Sequence, residues 1–332
     1  MRKYYLLTDT CRSNPNPGDI LIGKGIEYLI GEYEASRDQQ CVVGYISLFS
    51  NEKQVDIQAL RDADCIVVCG TPQFGSQGAS PIFDNFLPLL KKASSKGIKL
   101  CNLYMGITND YIYDDANQEG KATVVADHEP QLRDIYSLFD ILVSRSPTAK
   151  TILELIGLDA PQMLCSTFYA PLLYGVCSEP KEYNVITVGA SDNEILIDDD
   201  FWHDVSELFG NDHESIFICH SIGDYARIRG YVDKLYCVNT PLSLLRLYSK
   251  AARVVSLRVH GSTSALAVGA SVMNVEKDSR SDIVRYAGIP SVRFVDFIKN
   301  TQLEFSDVNA TGLMDADKSR LFSMLDDMWG DS

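Results

Sequence analysis

The chain is short of positive charge. Against 45 aspartates and glutamates it sets 30 lysines and arginines, a net charge of -15 over 332 residues. That deficit is spread along the chain rather than gathered in one tail, and it excludes the basic footprint that nucleic acid or an anionic membrane surface requires. Any anionic ligand must be caught by a local cluster of cations. Long apolar runs are missing too: no segment approaches the roughly 18 apolar residues of a bilayer-spanning helix. The opening residues MRKYYLLTDTCRSN carry no apolar core with a small-residue cleavage site behind it. Together these features predict a cytoplasmic protein without a transmembrane segment. The nine cysteines include no CxxC pair and no Cys/His cluster at zinc spacing, so no structural metal is expected. Cys65, Cys69 and Cys219 lie inside apolar runs and read as small buried hydrophobes in a reducing compartment. Signatures of several enzyme classes are also absent. There is no GxGxxG or GxxxxGK(S/T), no GxSxG elbow, no HExxH and no kinase set, which removes dinucleotide, P-loop, serine-hydrolase, zincin and kinase readings.

What is present is a globular balance, 45% hydrophobic and 23% charged, in a chain too long for one hydrophobic core. Two domains of roughly 150 residues are expected. Short apolar runs alternate with helical patterns for the whole length, the signature of βαβ units in parallel sheets. The runs KYYLLTD, VVGYISLF, CIVVCG, KLCNLYMGI and DILVSRS read as strands of a first sheet. YNVITVGA, SIFICHS, KLYCVN, RVVSLRV, SVMNVEK and VRFVD read as a second. Between them IGKGIEYLIGEY, IFDNFLPLLKKASSKG, PTAKTILELIGL, PLSLLRLYSKA and SDIVRYAG have apolar residues at helical spacing. The fold class is therefore α/β, two doubly wound Rossmann-like domains. The polar stretch CSEPKEYN marks the boundary, with a first domain over 1–175 and a second over 176–332. The last periodic segment, DADKSRLFSMLDDMWGD, predicts a closing helix that lies back across the first domain. The acidic run in ILIDDDFWHD reads as a solvated helix start.

In open α/β sheets, ligands bind beyond the carboxyl ends of the strands, where the next helix directs its first N–H groups at an anion. The strand RVVSLRV runs into Arg258, His260, Gly261, Ser262 and Ser264: a cation, an imidazole, a permissive glycine and two hydroxyls. Ser262 or Ser264 is expected to cap the following helix, and Gly269 to close it. Four further strand ends carry polar residues suited to the same cleft. Asn16, Gly18 and Asp19 open a helix after the first strand. Gly70 follows CIVVC in a loop of donors. Arg145 follows DILVS. His220 ends SIFIC, with Asp224 four residues on to orient it or to meet a sugar hydroxyl. His128, His203 and His213 read as surface residues.

Taken together, these segments resemble the polysaccharide pyruvyl transferase family over almost the whole chain. The resemblance is carried by Asn16-Pro17-Gly18-Asp19, the glycine loop behind CIVVCG, and Ser144-Arg145 before a helix ending in Leu155-Ile156-Gly157. The His220/Asp224 loop adds to it, and LRVHGSTSALAVGASV at 257–272 carries most. It implies a glycosyltransferase-B-like pair of domains facing across a cleft, the first on the acceptor side and the second on the donor side. It also implies transfer of a pyruvyl group from phosphoenolpyruvate to a sugar diol of a cell-surface glycan precursor, giving a ketal and phosphate. Phosphoenolpyruvate would be the co-substrate, with no other cofactor. The glycan acceptor would be the second partner, reached by peripheral contact where it is lipid-linked. Arg258 and His260 match the family's Arg-x-His pair, Arg145 its strand-end arginine, and Asp278 with Arg280 a later Asp-x-Lys. Arginine forks suit a carboxylate and a phosphate, and His260 is placed as the base that takes the sugar hydroxyl proton. The residues leave two other readings open: a nucleotide-sugar-dependent glycosyltransferase, which also needs a basic pocket, and a catalytically inactive scaffold of the same fold.

Overall fold

The computed structural model describes residues 1–8, 16–47, 62–75, 78–80, 82–107, 118–188, 214–230, 232–276, 279–297, 304–306 and 308–330. The first sheet contains β1 (Arg2–Thr8), β2 (Cys41–Ser47), β3 (Cys65–Cys69), β4 (Pro72–Gly75), β5 (Gly78–Ala79), β6 (Lys99–Ile107) and β7 (Ile141–Ser144). They lie in the order β2-β1-β3-β6-β4-β5, with β7 also paired to β6. Every pair in it is parallel except the β4–β5 hairpin. Its helices are α1 (Pro17–Ala35), α2 (Ile82–Ser95), α3 (Gln118–Tyr136), α4 (Pro147–Leu155) and the short α5 (Ala170–Tyr174). All five residues of β3 are buried, as a strand covered by helices on both faces must be.

The second sheet is wholly parallel and holds β8 (Tyr183–Thr187), β9 (Glu214–Cys219), β10 (Leu235–Cys237), β11 (Ala251–Ser256), β12 (Ser271–Glu276) and β13 (Ser291–Arg293). Its helices are α6 (Ile222–Ile228), α7 (Pro241–Ser249), α8 (Val259–Ala267), α9 (Asp282–Tyr286) and α10 (Phe294–Phe297), and α11 (Thr311–Trp329) ends the described chain. The order β10-β9-β8-β11-β12-β13 is the Rossmann order, which reverses direction between β8 and β11 and opens a crevice there. In the first sheet the reversal falls between β1 and β3.

Caps and turns follow local chemistry. Asn16, Ser146, Ser221 and Thr240 each accept a backbone N–H two or three residues on and so cap α1, α4, α6 and α7. Gly269, at φ 79°, follows α8 in the left-handed region that L side chains avoid. Several elements differ from expectation, among them the glycine loop behind CIVVCG, which pairs as the β4–β5 hairpin. The run VRFVD is strand only to Arg293 and then turns into α10. The helix α3 gives little periodic signal, because its apolar residues are sparse and Pro130 sits inside it. The half-buried His128 lies on α3, whereas His203, His213 and the acidic run at 198–200 lie outside the described residues.

The segment between β7 and β8 and the helix α11 join the two halves. Gly25 of α1 comes so close to this segment that a Cβ there would stand 1.8 Å from the Ser166 carbonyl oxygen. α11 packs against both the segment and the first sheet. Asp317 accepts the Leu164 N–H at 2.6 Å, Tyr169 donates to the Met314 carbonyl at 2.8 Å, and Trp329 meets Tyr4 edge-on under the Arg2 guanidinium.

Candidate functional site

The crevice of the second sheet is built by β11 handing over to α8. Leu257 donates its N–H to the Thr187 carbonyl, so the chain crosses the end of β8 as it leaves the sheet. Gly261 then packs so tightly that a Cβ would lie 2.4 Å from Ser256 Oγ and 2.9 Å from the Tyr248 hydroxyl. This glycine lets the first turn of α8 settle onto the switch point. The N-cap of α8 is Arg258, whose side chain makes no capping bond, so the expected caps Ser262 and Ser264 lie inside the helix instead. Ser262 Oγ spends its bond on Asn274 Oδ1 at 2.8 Å, and Ser264 Oγ is buried with no partner among the described residues.

Arg258 folds back over the crevice. Its Nε donates to the Val188 carbonyl at 3.3 Å and its Nη2 pairs with the buried carboxylate of Asp224, in the first turn of α6. Asp224 therefore serves Arg258 and not His220, which corrects the expectation that it orients the imidazole. His220 is 1% exposed, and neither ring nitrogen has a partner among the described residues. Burial, with Arg258 and His260 nearby, holds its pKa well below the ordinary value, so the ring is neutral.

The first half approaches from the other side. A Cβ at Gly18 would lie 2.6 Å from the Cβ of His260, so the openings of α1 and α8 touch. His260 Nδ1 stands 3.4 Å from Asp19 Oδ1, and His260 Nε2 lies 3.0 Å from Arg145 Nη1. Arg145 is 2% exposed, and it fits because Gly106 presents no side chain beside its Nε. Its Nη1 also reaches Cys165 Sγ at 3.5 Å, while Nε has no partner among the described residues. Burial alone would push the His260 pKa down; hydrogen bonds to Asp19 and Cys165 outweigh it and hold it above the ordinary value. Burial would raise the Asp19 carboxyl, but its bond to His260, with Arg145 and Arg258 behind, brings it below the usual range. In the same way burial raises the Cys165 thiol, and Arg145 and His260 bring it down to about 6.

Arg145, His260 and Asp19 thus meet at one point between the sheets, with Asn16 capping α1 beside them and Arg258, two residues before His260, near enough to act on the Asp19 carboxylate. Gly70 is a packing residue: a Cβ there would lie 2.7 Å from the Tyr104 carbonyl oxygen and 2.9 Å from Ile22. Arg280 is half-buried in the turn Ser279–Ser281 that precedes α9, and Asp278 lies outside the described residues. Two site residues gave no signal in the sequence. Cys165 sits in a segment without apolar periodicity. Asp282, from the second half, accepts the Ser146 hydroxyl at 2.6 Å and the Thr148 N–H at 3.2 Å from the first. Burial raises the Asp282 carboxyl to about 6. Among the described residues no group of three or more His, Cys, Asp or Glu side chains is placed to hold a metal ion, and no helix is long and apolar enough to cross a membrane.

No protein-family model and no curated protein matches the chain. Solved structures do. A candidate UDP-N-acetylglucosamine 2-epimerase from Listeria monocytogenes aligns with 100% of this chain and 97% of its own at TM-score 0.59 and 9% identity. The UDP-GlcNAc 2-epimerase of Methanocaldococcus jannaschii aligns over 98% and 99% at TM-score 0.54 and 11% identity. That of Neisseria meningitidis, bound to UDP-GlcNAc, aligns over 90% of each chain at TM-score 0.52 and 12% identity. These likenesses overturn the resemblance to pyruvyl transferases, and with it phosphoenolpyruvate as co-substrate and pyruvyl transfer to a glycan. The residues that carried the resemblance have packing reasons of their own: Asn16 caps α1, Gly18 clears His260, and Ser262 binds Asn274. The fold is two parallel-sheet Rossmann-like α/β domains of the glycosyltransferase-B-like arrangement, shared along nearly its full length with UDP-GlcNAc 2-epimerases.

Proposed function

We propose that the chain is an enzyme acting on a nucleoside-diphosphate sugar of the UDP-N-acetylglucosamine class, and that it inverts the sugar at C2. The observation that carries this reading is the contact of Arg145 with His260 where α1 and α8 open toward each other, with Arg258 at the N-cap of α8. A net charge of -15 makes that cluster a local exception, and two arginines beside a helix N-terminus suit a diphosphate. The likeness to epimerases over nearly the whole chain favours inversion over transfer to a second sugar.

Inversion at C2 would break the C2–H bond, with its electron pair expelling the diphosphate from C1 to leave a C1–C2 double bond; return of the proton to the opposite face, with the diphosphate rejoining C1, completes the epimer. We assign His260 to carry the proton: its Nδ1 stands beside Asp19 and its Nε2 beside Arg145, where the openings of α1 and α8 meet. Arg145 and Arg258 come from different domains, so a diphosphate bound to both would draw the domains together and exclude water.

The test is incubation of the purified protein with UDP-GlcNAc, followed by proton NMR of the anomeric signal. Appearance of the C2 epimer, lost in His260→Ala, is the expected result. Consumption only when an acceptor sugar is added would assign a glycosyltransferase instead, and no change under any condition would leave a scaffold without the reaction.

A further inference from the structure

Asp282 opens α9 in the second domain, and its Oδ2 accepts from two donors of the first: the Ser146 hydroxyl at 2.6 Å and the Thr148 N–H at 3.2 Å. Those donors are the cap and first turn of α4, directly behind Arg145. All three residues are buried, so water does not compete for the bonds, and a carboxylate makes them of the strong, charge-assisted kind. The turn is tied to the first sheet as well. Arg145 donates its N–H to the Met105 carbonyl at 3.0 Å, and Ser144 Oγ donates to the Ser146 carbonyl at 2.7 Å. At its other end the Arg145 guanidinium reaches His260 Nε2, in the first turn of α8, at 3.0 Å. The helix α9 packs against both α4 and α8, so one short helix sets the spacing between the turn that carries Arg145 and the turn that carries His260. Asp282 Oδ1 is buried with no partner among the described residues. An unsatisfied buried carboxylate oxygen costs stability, and departures of this kind collect where a fold holds functional residues.

We propose that Asp282 is a positioning residue for Arg145: it holds the turn at 146–148 from the second domain, so that Arg145 stands at His260 only while the two domains are closed on each other. This deepens the reading given above and rests on it for the ligand, a nucleoside diphosphate, whereas the tie between the domains does not depend on which anion the cleft takes. Asp282 acts through Ser146, Thr148 and the backbone that joins them to Arg145, and not on the reacting atoms. Closure and anion binding are then coupled, and the coupling is reciprocal. A diphosphate held by Arg145 and by the second domain stabilises the closed arrangement, and a change that frees the turn from Asp282 weakens the hold on the diphosphate.

The experiment is small-angle X-ray scattering of the full chain, with calorimetric titration of UDP, on the unmodified protein, Asp282→Ala and Asp282→Asn. Asparagine keeps an oxygen that accepts both bonds. Alanine and asparagine lose the same charge, so the difference between them reads the two bonds alone. Asp282→Ala should have a larger radius of gyration and bind UDP at least about 10-fold more weakly than Asp282→Asn, as the loss of one charged hydrogen bond implies. Asp282→Asn should match the unmodified protein in radius and bind UDP at least as tightly. An alanine variant with unchanged radius or unchanged affinity overturns the proposal, and so does an asparagine variant no better than alanine. If UDP binds none of the three, the nucleotide reading fails and scattering alone decides the tie: expansion in Asp282→Ala that Asp282→Asn restores supports it, and equal radii overturn it. Should the alanine variant not fold, Asp282→Glu, which lengthens the link by one methylene, takes its place with the same expected signs.

Discussion

The narrowest gap in the site is the one between Gly18 and His260, and adding one carbon there is the sharpest perturbation the structure offers. In Gly18→Ala the new Cβ would lie 2.6 Å from His260 Cβ and 3.1 Å from its Nδ1. Carbon atoms rest about 3.5–4.0 Å apart, so the histidine or the helix must give by about 1 Å. The backbone gains something, since alanine is favoured over glycine in a helix by up to about 1 kcal/mol. Overpacking costs about 1–3 kcal/mol, leaving a net loss of about 0–2 kcal/mol and a protein that still folds. Function should suffer far more. The same shift opens the His260 contacts with Asp19 and Arg145, at 3.4 Å and 3.0 Å, and a displacement of that size at a reacting group costs about 10²-fold in rate. Turnover of UDP-GlcNAc and thermal melting, run side by side, separate the two effects. Full turnover, with His260 titrating as in the unmodified protein, would refute the placement of His260 at the working point.

Three further changes have expected signs. In Asp19→Asn the His260 pKa should fall, because the carboxylate is the main group raising it. A raised histidine stabilises the fold below its unfolded value of about 6.5 and ceases to do so as pH rises through its folded value, whereas a depressed aspartate stabilises it above about 3.9. The destabilisation by Asp19→Asn should therefore be larger near pH 5.5 than near pH 8.5, and equal chemical-denaturation losses at the two would contradict the pairing. Asp282 runs the other way: its carboxyl is raised to about 6, so the buried charge opposes folding at neutral pH. Relative to Asp282→Asn, the unmodified protein should gain up to about 3 kcal/mol as pH falls from about 7 to about 4; a gap that stays constant across that range would contradict it. Gly25→Ala places a Cβ 1.8 Å from a backbone oxygen that cannot turn away, and a loss of about 3 kcal/mol is expected. An unchanged Tm would show that α1 does not dock there.

Alternation of apolar runs and helical patterns made the two sheets legible, because each run of buried β-residues had to be covered on both faces. The run CIVVC is one such strand and is buried throughout. Strand order is set by tertiary contact and could not be read. The cleft residues Arg258, His260, Asp19 and Arg145 were legible because each sits at the carboxyl end of a strand or the opening of a helix, where the fold delivers side chains to one edge. Their partners were hidden. Asp282 reaches Ser146 across a sequence separation of 136, and nothing in either segment announces the other. Cys165 lies in the joining segment, where neither period nor turn chemistry marks a functional position. The resemblance to pyruvyl transferases misled because Gly18, Asn16 and Ser262 answer to close packing and capping, demands that the shared architecture makes whatever its substrate.

On the proposed reading, this cleft holds a nucleoside diphosphate. Calorimetric titration of UDP and of UDP-GlcNAc into the unmodified protein and into Arg258→Gln tests it most directly. Both should bind the unmodified protein and bind the variant about 10- to 150-fold more weakly, the range that losing a charged hydrogen bond of about 1.5–3 kcal/mol implies. No binding of either nucleotide, or equal affinity in the two proteins, would contradict it.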